Sequence, residues 1–170
     1  MLTKQKRRWL FVDSMVLTAL WVVFILARSA KPAPESSAES GWVLELIRRL
    51  IPAIGMHTIR KLAHFTEFGI LGLLLWLDCH FWKKGRWWAP LVAGLAVAAA
   101  DEFFQTFIPG RSGQLTDILI DFSGVLTAVL LANILATAIS TKKPQGRRMP
   151  AQRDEPSASP QRTFQKKERL

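Results

Sequence analysis

The 170-residue sequence contains no tyrosine and a single cysteine, Cys79. The lone thiol excludes an internal disulfide and says nothing about redox compartment. Acidic residues are also scarce, with 13 Asp and Glu against 23 Lys and Arg and a net charge of +10. An excess of that size suits either nucleic acid or a membrane surface, and its placement decides between them. Apolar residues make up 49% of the chain, with seven Trp. They collect in four blocks, and the basic residues collect between them. That alternation is the pattern of a helical protein that crosses a membrane several times, so nucleic-acid binding is set aside.

The blocks can be taken in order. Met1 to Arg8 is a basic arm without an acid, and Trp9 to Ala27 is apolar apart from Asp13, Ser14 and Thr18. Nineteen such residues are enough to span. A cleaved signal peptide is the competing reading, with Ala27 and Ser29 near a cleavage site, but the apolar stretch is too long and Asp13 interrupts it. Asp13 is expected to reach back to Arg7 or Arg8. Arg28 to Gly41 reads as a loop rich in Ala, Ser, Pro and Glu. Trp42 to Ile51 has helical spacing with Glu45, Arg48 and Arg49 on its polar face, which predicts a short helix lying in the interface. Three further spans follow at Leu62 to Trp82, Trp88 to Phe107 and Leu115 to Ile139. Gly94, the Ala-rich run 96–100, Gly124, Ala128 and Ala132 would let neighbouring helices approach closely.

The sequence therefore predicts an all-α polytopic membrane protein. Residues 1–8 form a cytoplasmic arm, 9–139 a four-transmembrane-helix bundle with one interfacial helix, and 140–170 a disordered basic tail that cannot bury enough apolar surface to fold. Sixteen of the 23 Lys and Arg fall in the arm, the loop after the second span and the tail. By the positive-inside rule both termini are cytoplasmic, and the Pro109-Gly110 turn lies outside.

This topology brings scattered polar residues to one depth. His64 and Glu67 lie at the start of the second span, Asp101, Glu102 and Gln105 at the end of the third, Arg111 in the turn, and Asp117 and Asp121 at the start of the fourth. Lys61 stands at the entry to the second span. His64 with Glu67, Asp101 with Gln105, and Asp117 with Asp121 are each spaced to share a helix face. Glu102 is rotated about 100° from Asp101 and is expected to face a different helix. Ionisable groups at membrane depth are costly, so they usually face the bundle interior and mark a site.

The order Arg60-Lys61-x-x-His64-Phe65-x-x-Phe68, Asp101-Glu102-x-x-Gln105 running into Pro109-Gly110-Arg111, and Asp117-x-x-x-Asp121-x-x-Gly124 resembles the VanZ-like family of small bacterial membrane proteins. The resemblance covers residues 60–131. The family commonly has Tyr where Phe68 stands, and many members have Asn where Asp121 stands. The resemblance implies a protein of the bacterial cell envelope, in the plasma membrane, in a family named for low-level teicoplanin resistance.

Three functions are weighed on these residues. Arg111 suits a phosphate or carboxylate of a lipid-linked cell-wall molecule or a lipoglycopeptide, with His64 or a carboxylate available for acid–base chemistry. The acids and His64 could hold Mg²⁺ or Mn²⁺, although no spaced metal-ligand signature is present and no cofactor is specified. Alternatively Lys61, His64 and Arg111 neutralise Glu67, Asp101, Asp117 and Asp121 and only fix helix packing. Ion-coupled transport comes last, because four spans make a small transporter unless the protein forms an oligomer.

Overall fold

A computed structural model describes residues 3–32, 41, 44–82 and 86–141. The tail from Lys142, expected to be disordered, and most of the first loop lie outside these residues. Among the described residues the regular structure is entirely helical, with four long helices: α1 (Lys4–Ser29), α2 (Met56–Phe81), α3 (Ala89–Gln105) and α4 (Leu115–Thr141). α1, α2 and α4 are long and apolar enough to cross a membrane.

Local chemistry sets the ends of these helices. The Thr3 hydroxyl accepts the Lys6 N–H at 3.2 Å and caps α1. α2 starts at Met56, six residues before the apolar run at Leu62, so His57, Arg60 and Lys61 lie on its first turns. A polar first turn carries no hydropathy signal, yet its backbone still continues the helix. Pro90 sits at the start of α3, where its missing N–H has no intrahelical acceptor to lose. α3 is shorter than the expected span: Trp88 is its cap and Thr106 its end, followed by a turn in which Gly110 takes φ 76°. At 17 residues it rises about 25 Å.

Of the expected interfacial helix, residues 44–48 are helical and 49–50 form a turn, while residues 42 and 43 lie outside the described residues. Leu44 is buried there, while Leu46, Leu50 and Ile51 are exposed.

α2 and α4 make the closest packing. A Cβ at Gly124 would overlap the Phe65 carbonyl oxygen and lie 3.1 Å from the Gly69 nitrogen. One at Gly72 would lie 2.8 Å from Val125 Cα, so both backbones approach too closely for a side chain. Val125 also fills the notch at Gly94 of α3, and thus sits at the junction of three helices. The core around it is Ile25, Phe68, Leu71, Ala98 and Val129. Phe68 is fully buried among these apolar groups, where a phenyl ring needs no partner. Gly124 and Ala132 are buried and Ala128 is half-buried, in keeping with the small-residue face read from the sequence.

Large apolar side chains such as Leu20, Val23, Leu119, Leu130 and Ile134 point outward instead. In water such a surface would aggregate, and in a bilayer it meets acyl chains. At the other end of the bundle, Arg7 donates to the carbonyl oxygens of Phe81 at 2.8 Å and His80 at 3.1 Å. It closes the C-terminus of α2 there, a task more specific than the expected pairing with Asp13.

Candidate functional site

The start of α2, the end of α3, the following turn and the start of α4 meet at one end of the bundle. The end of α1 joins them. His64 Nδ1 lies 3.2 Å from Asp121 Oδ1 and ties α2 to α4. The Gln105 amide nitrogen donates to Asp101 Oδ2 at 2.9 Å and to Glu102 Oε1 at 3.2 Å. Gln105 stands three residues from one acid and four from the other, so on the helix surface it lies between them. That position explains why Glu102 does not turn away to another helix. Its second oxygen accepts the Gln114 backbone N–H at 2.8 Å, which fixes the approach of the turn to α4. Gly113 is part of the same contact, since a Cβ there would come to 2.6 Å from the Glu102 carbonyl oxygen.

Asp101, Glu102, Gln105 and Asp121 are all buried. Burial of so many polar groups is tolerable only where they bond to one another or to a guest. Most of their atoms are paired. Asp101 Oδ1 and Asp121 Oδ2 are buried and have no hydrogen-bond partner.

Glu67 leaves this cluster. It pairs with Arg28 at 3.1 Å, and its backbone carbonyl accepts the Trp21 indole N–H at 2.9 Å. Both partners belong to α1, which the sequence placed only as an anchor. Ser29, also buried, stands 3.5 Å from the Gln105 amide nitrogen. Arg28 and Ser29 carry no motif; their position at the end of an apolar run, at the depth of Glu67, was the available signal.

Above the cluster is a cavity of about 150 Å³ bounded by His57, Arg60, Lys61, His64, Arg111 and Asp117. Arg111 Nη1 donates to Gln105 Oε1 at 3.3 Å, while its buried Nε has no partner. Burial first, and then the neighbouring charge of Arg60, push the Arg111 guanidinium below its ordinary value. Among the described residues none of Arg60, Lys61 and Arg111 forms an ion pair with a carboxylate. Asp117 lies at the rim, in the first turn of α4, where its charge suits the helix N-terminus. Thus Lys61, Arg111 and Asp117 frame the opening, His64, Asp101, Glu102, Gln105 and Asp121 form the floor, and Glu67 sits beside them with α1.

An apolar exterior around a polar cluster buried at one end defines a small helical membrane protein. The VanZ/LLP1 family model matches residues 14–136, and the chain belongs to that family. The match reaches back into α1 and so includes Arg28 and Ser29. No curated protein and no solved structure matches the chain.

Proposed function

We propose that the polar end of the bundle is a binding site for the anionic headgroup of a lipid-linked cell-envelope molecule, facing the outer leaflet. The carrying observation is the cationic excess of the opening, three basic side chains against Asp117 among its lining residues. Arg60, Lys61 and Arg111 line one cavity without a carboxylate partner among the described residues. Like charges held together at a membrane interface repel one another, and a phosphate or carboxylate relieves that repulsion. Arg111 offers a planar donor pair, one arm of which is partnerless, suited to two oxygens of one anion.

In this reading α3 crosses the membrane with the other three helices, giving four spans. Both termini are cytoplasmic, as the basic clusters favour. The turn at Pro109-Gly110 then faces outside, where a glycopeptide such as teicoplanin meets its envelope target, and an effect on teicoplanin susceptibility is a cellular readout.

The direct test uses purified protein in nanodiscs and a labelled polyprenyl phosphate, compared with the polyprenol of equal chain length. Retention of the phosphate and not the alcohol supports the site. Charge-assisted bonds are worth about 1.5–3 kcal/mol, so Arg111→Lys and the double change Arg60→Gln/Lys61→Gln should each weaken retention by about tenfold or more. Equal retention of the two lipids overturns the reading.

A structural role is favoured by one specific feature, the two ion pairs Arg28 with Glu67 and His64 with Asp121. Such pairs fix the positions of α1, α2 and α4. They leave the cationic opening unexplained.

A further inference from the structure

Beneath that opening, His64, Asp101, Glu102 and Asp121 each bring one ligand-type atom into a group whose members all lie within 4.8 Å of one another. Acidic groups gather for many reasons, and a second observation separates this case. Asp101 and Asp121 are completely buried, and each keeps one carboxylate oxygen without a donor, Oδ1 of Asp101 and Oδ2 of Asp121. The donors that bond to these carboxylates are taken by their other oxygens. Gln105 serves Asp101 Oδ2 and Glu102 Oε1, His64 serves Asp121 Oδ1, and Arg28 pairs with Glu67. Two buried carboxyl oxygens with nothing to bind are an expensive arrangement in a protein interior.

We propose that His64, Asp101, Glu102 and Asp121 hold one divalent cation of the Mn²⁺ or Zn²⁺ kind. Ligand atoms on opposite sides of such an ion are about 4.2 Å apart, since each bond is about 2.1 Å. Small rotations of buried side chains therefore suffice to close the group around an ion. The donor set is three carboxylates and one imidazole. Mg²⁺ prefers oxygen and water alone, and Ca²⁺ takes six to eight oxygens, whereas an imidazole beside carboxylates suits Mn²⁺ or Zn²⁺. The supporting contacts also fit: Gln105 orients two of the acids from outside, as partners of metal ligands do. The ligands come from α2, α3 and α4, so the ion would join all three helices at the site.

This assignment does not depend on the anion reading, because Arg60, Lys61 and Arg111 are not ligands. The experiment keeps the two apart. Full-length protein is purified in detergent, stripped with EDTA and titrated with Mn²⁺ alone and with Zn²⁺ alone. Metal retained after gel filtration is counted by mass spectrometry, and bound Mn²⁺ is followed by electron paramagnetic resonance. Wild type is expected to retain one ion per chain, to melt at a higher temperature with it, and to show coupling between bound Mn²⁺ and an imidazole nitrogen. Loss of an outer partner of a metal ligand costs about 10–100-fold, so Asp101→Asn/Asp121→Asn should weaken binding by about a hundredfold or more. Arg49→Gln, at an exposed position outside both the cavity lining and the ligand group, should bind metal as wild type does.

The proposal is overturned if stripped wild type retains neither ion, if bound Mn²⁺ shows no nitrogen coupling, or if the folded double variant binds as wild type does. The wild-type measurements decide the matter even if the double variant does not fold. Metal retention without selective polyprenyl phosphate binding would sink the anion reading alone, and the reverse result would sink the metal site alone.

Discussion

His64 on α2 and Asp121 on α4 meet at 3.2 Å, just where Gly124 lets the two helices come into backbone contact. The polar pair and the glycine depend on each other. Without the close approach the imidazole could not reach the carboxylate.

Gly124→Ala is therefore expected to lower stability and to loosen the site together. A Cβ would overlap the Phe65 carbonyl oxygen, and the obstacle is backbone, which cannot rotate away. Overpacking of this sort costs roughly 1–3 kcal/mol. Thermal unfolding in detergent should show a clear fall in midpoint, and an unchanged midpoint would mean that α2 and α4 are farther apart.

Gln105→Leu tests the floor of the site. The substitution nearly keeps the volume but removes the donor shared by Asp101 and Glu102 and the acceptor for Arg111. A buried polar group left unsatisfied costs about 1–3 kcal/mol. Metal-free protein should melt well below wild type, and added Mn²⁺ should recover part of the difference.

Asp121→Asn separates a site from a scaffold. The amide keeps an acceptor for His64 and removes one of several crowded negative charges. Melting temperature should be preserved or raised, while retention of ligand or metal falls. Arg111→Lys should likewise leave melting nearly unchanged and impair anion binding. Parallel losses of melting temperature and binding in Asp101→Asn, Asp121→Asn and Arg111→Lys would favour a purely structural network.

Orientation has its own measurement. A cysteine at Ser37 should react with an impermeant reagent in intact spheroplasts, and a reporter fused after Thr141 should behave as cytoplasmic. Labelling of Ser37→Cys only after lysis would place the cationic opening on the inner face.

Much of this arrangement was legible in the sequence, because helices in lipid announce themselves by apolar length and by the small residues between them. The convergence of His64, Asp101, Gln105 and Asp121 followed from helix spacing and topology. Other features depended on side-chain reach and on contacts distant in the chain. Glu102 joined Asp101 because Gln105 straddles both, a relation that a rotation angle alone does not reveal. Arg28 and Ser29 belonged to the site through the packing of α1 against Glu67 and Gln105, which leaves no periodic mark. On the opposite end, Thr18 donates to Asp78 at 2.8 Å, a pairing across 60 residues that no local pattern encodes. The early start of α2 was hidden because hydropathy reports contact with lipid and not the continuity of a helix.

The shortness of α3 has a bearing on the membrane itself. Asp101 and Glu102 are buried while Phe103, Phe104 and Phe107 stay exposed, so the apolar outer face of α3 runs its full 17 residues, about 25 Å. The hydrocarbon of a bilayer is about 30 Å thick. If α3 crosses with the other helices, the lipids beside it thin slightly, a response that depends on acyl-chain length. Under the four-span reading, hydrophobic mismatch thus sets how closely lipid headgroups approach the turn at Pro109-Gly110.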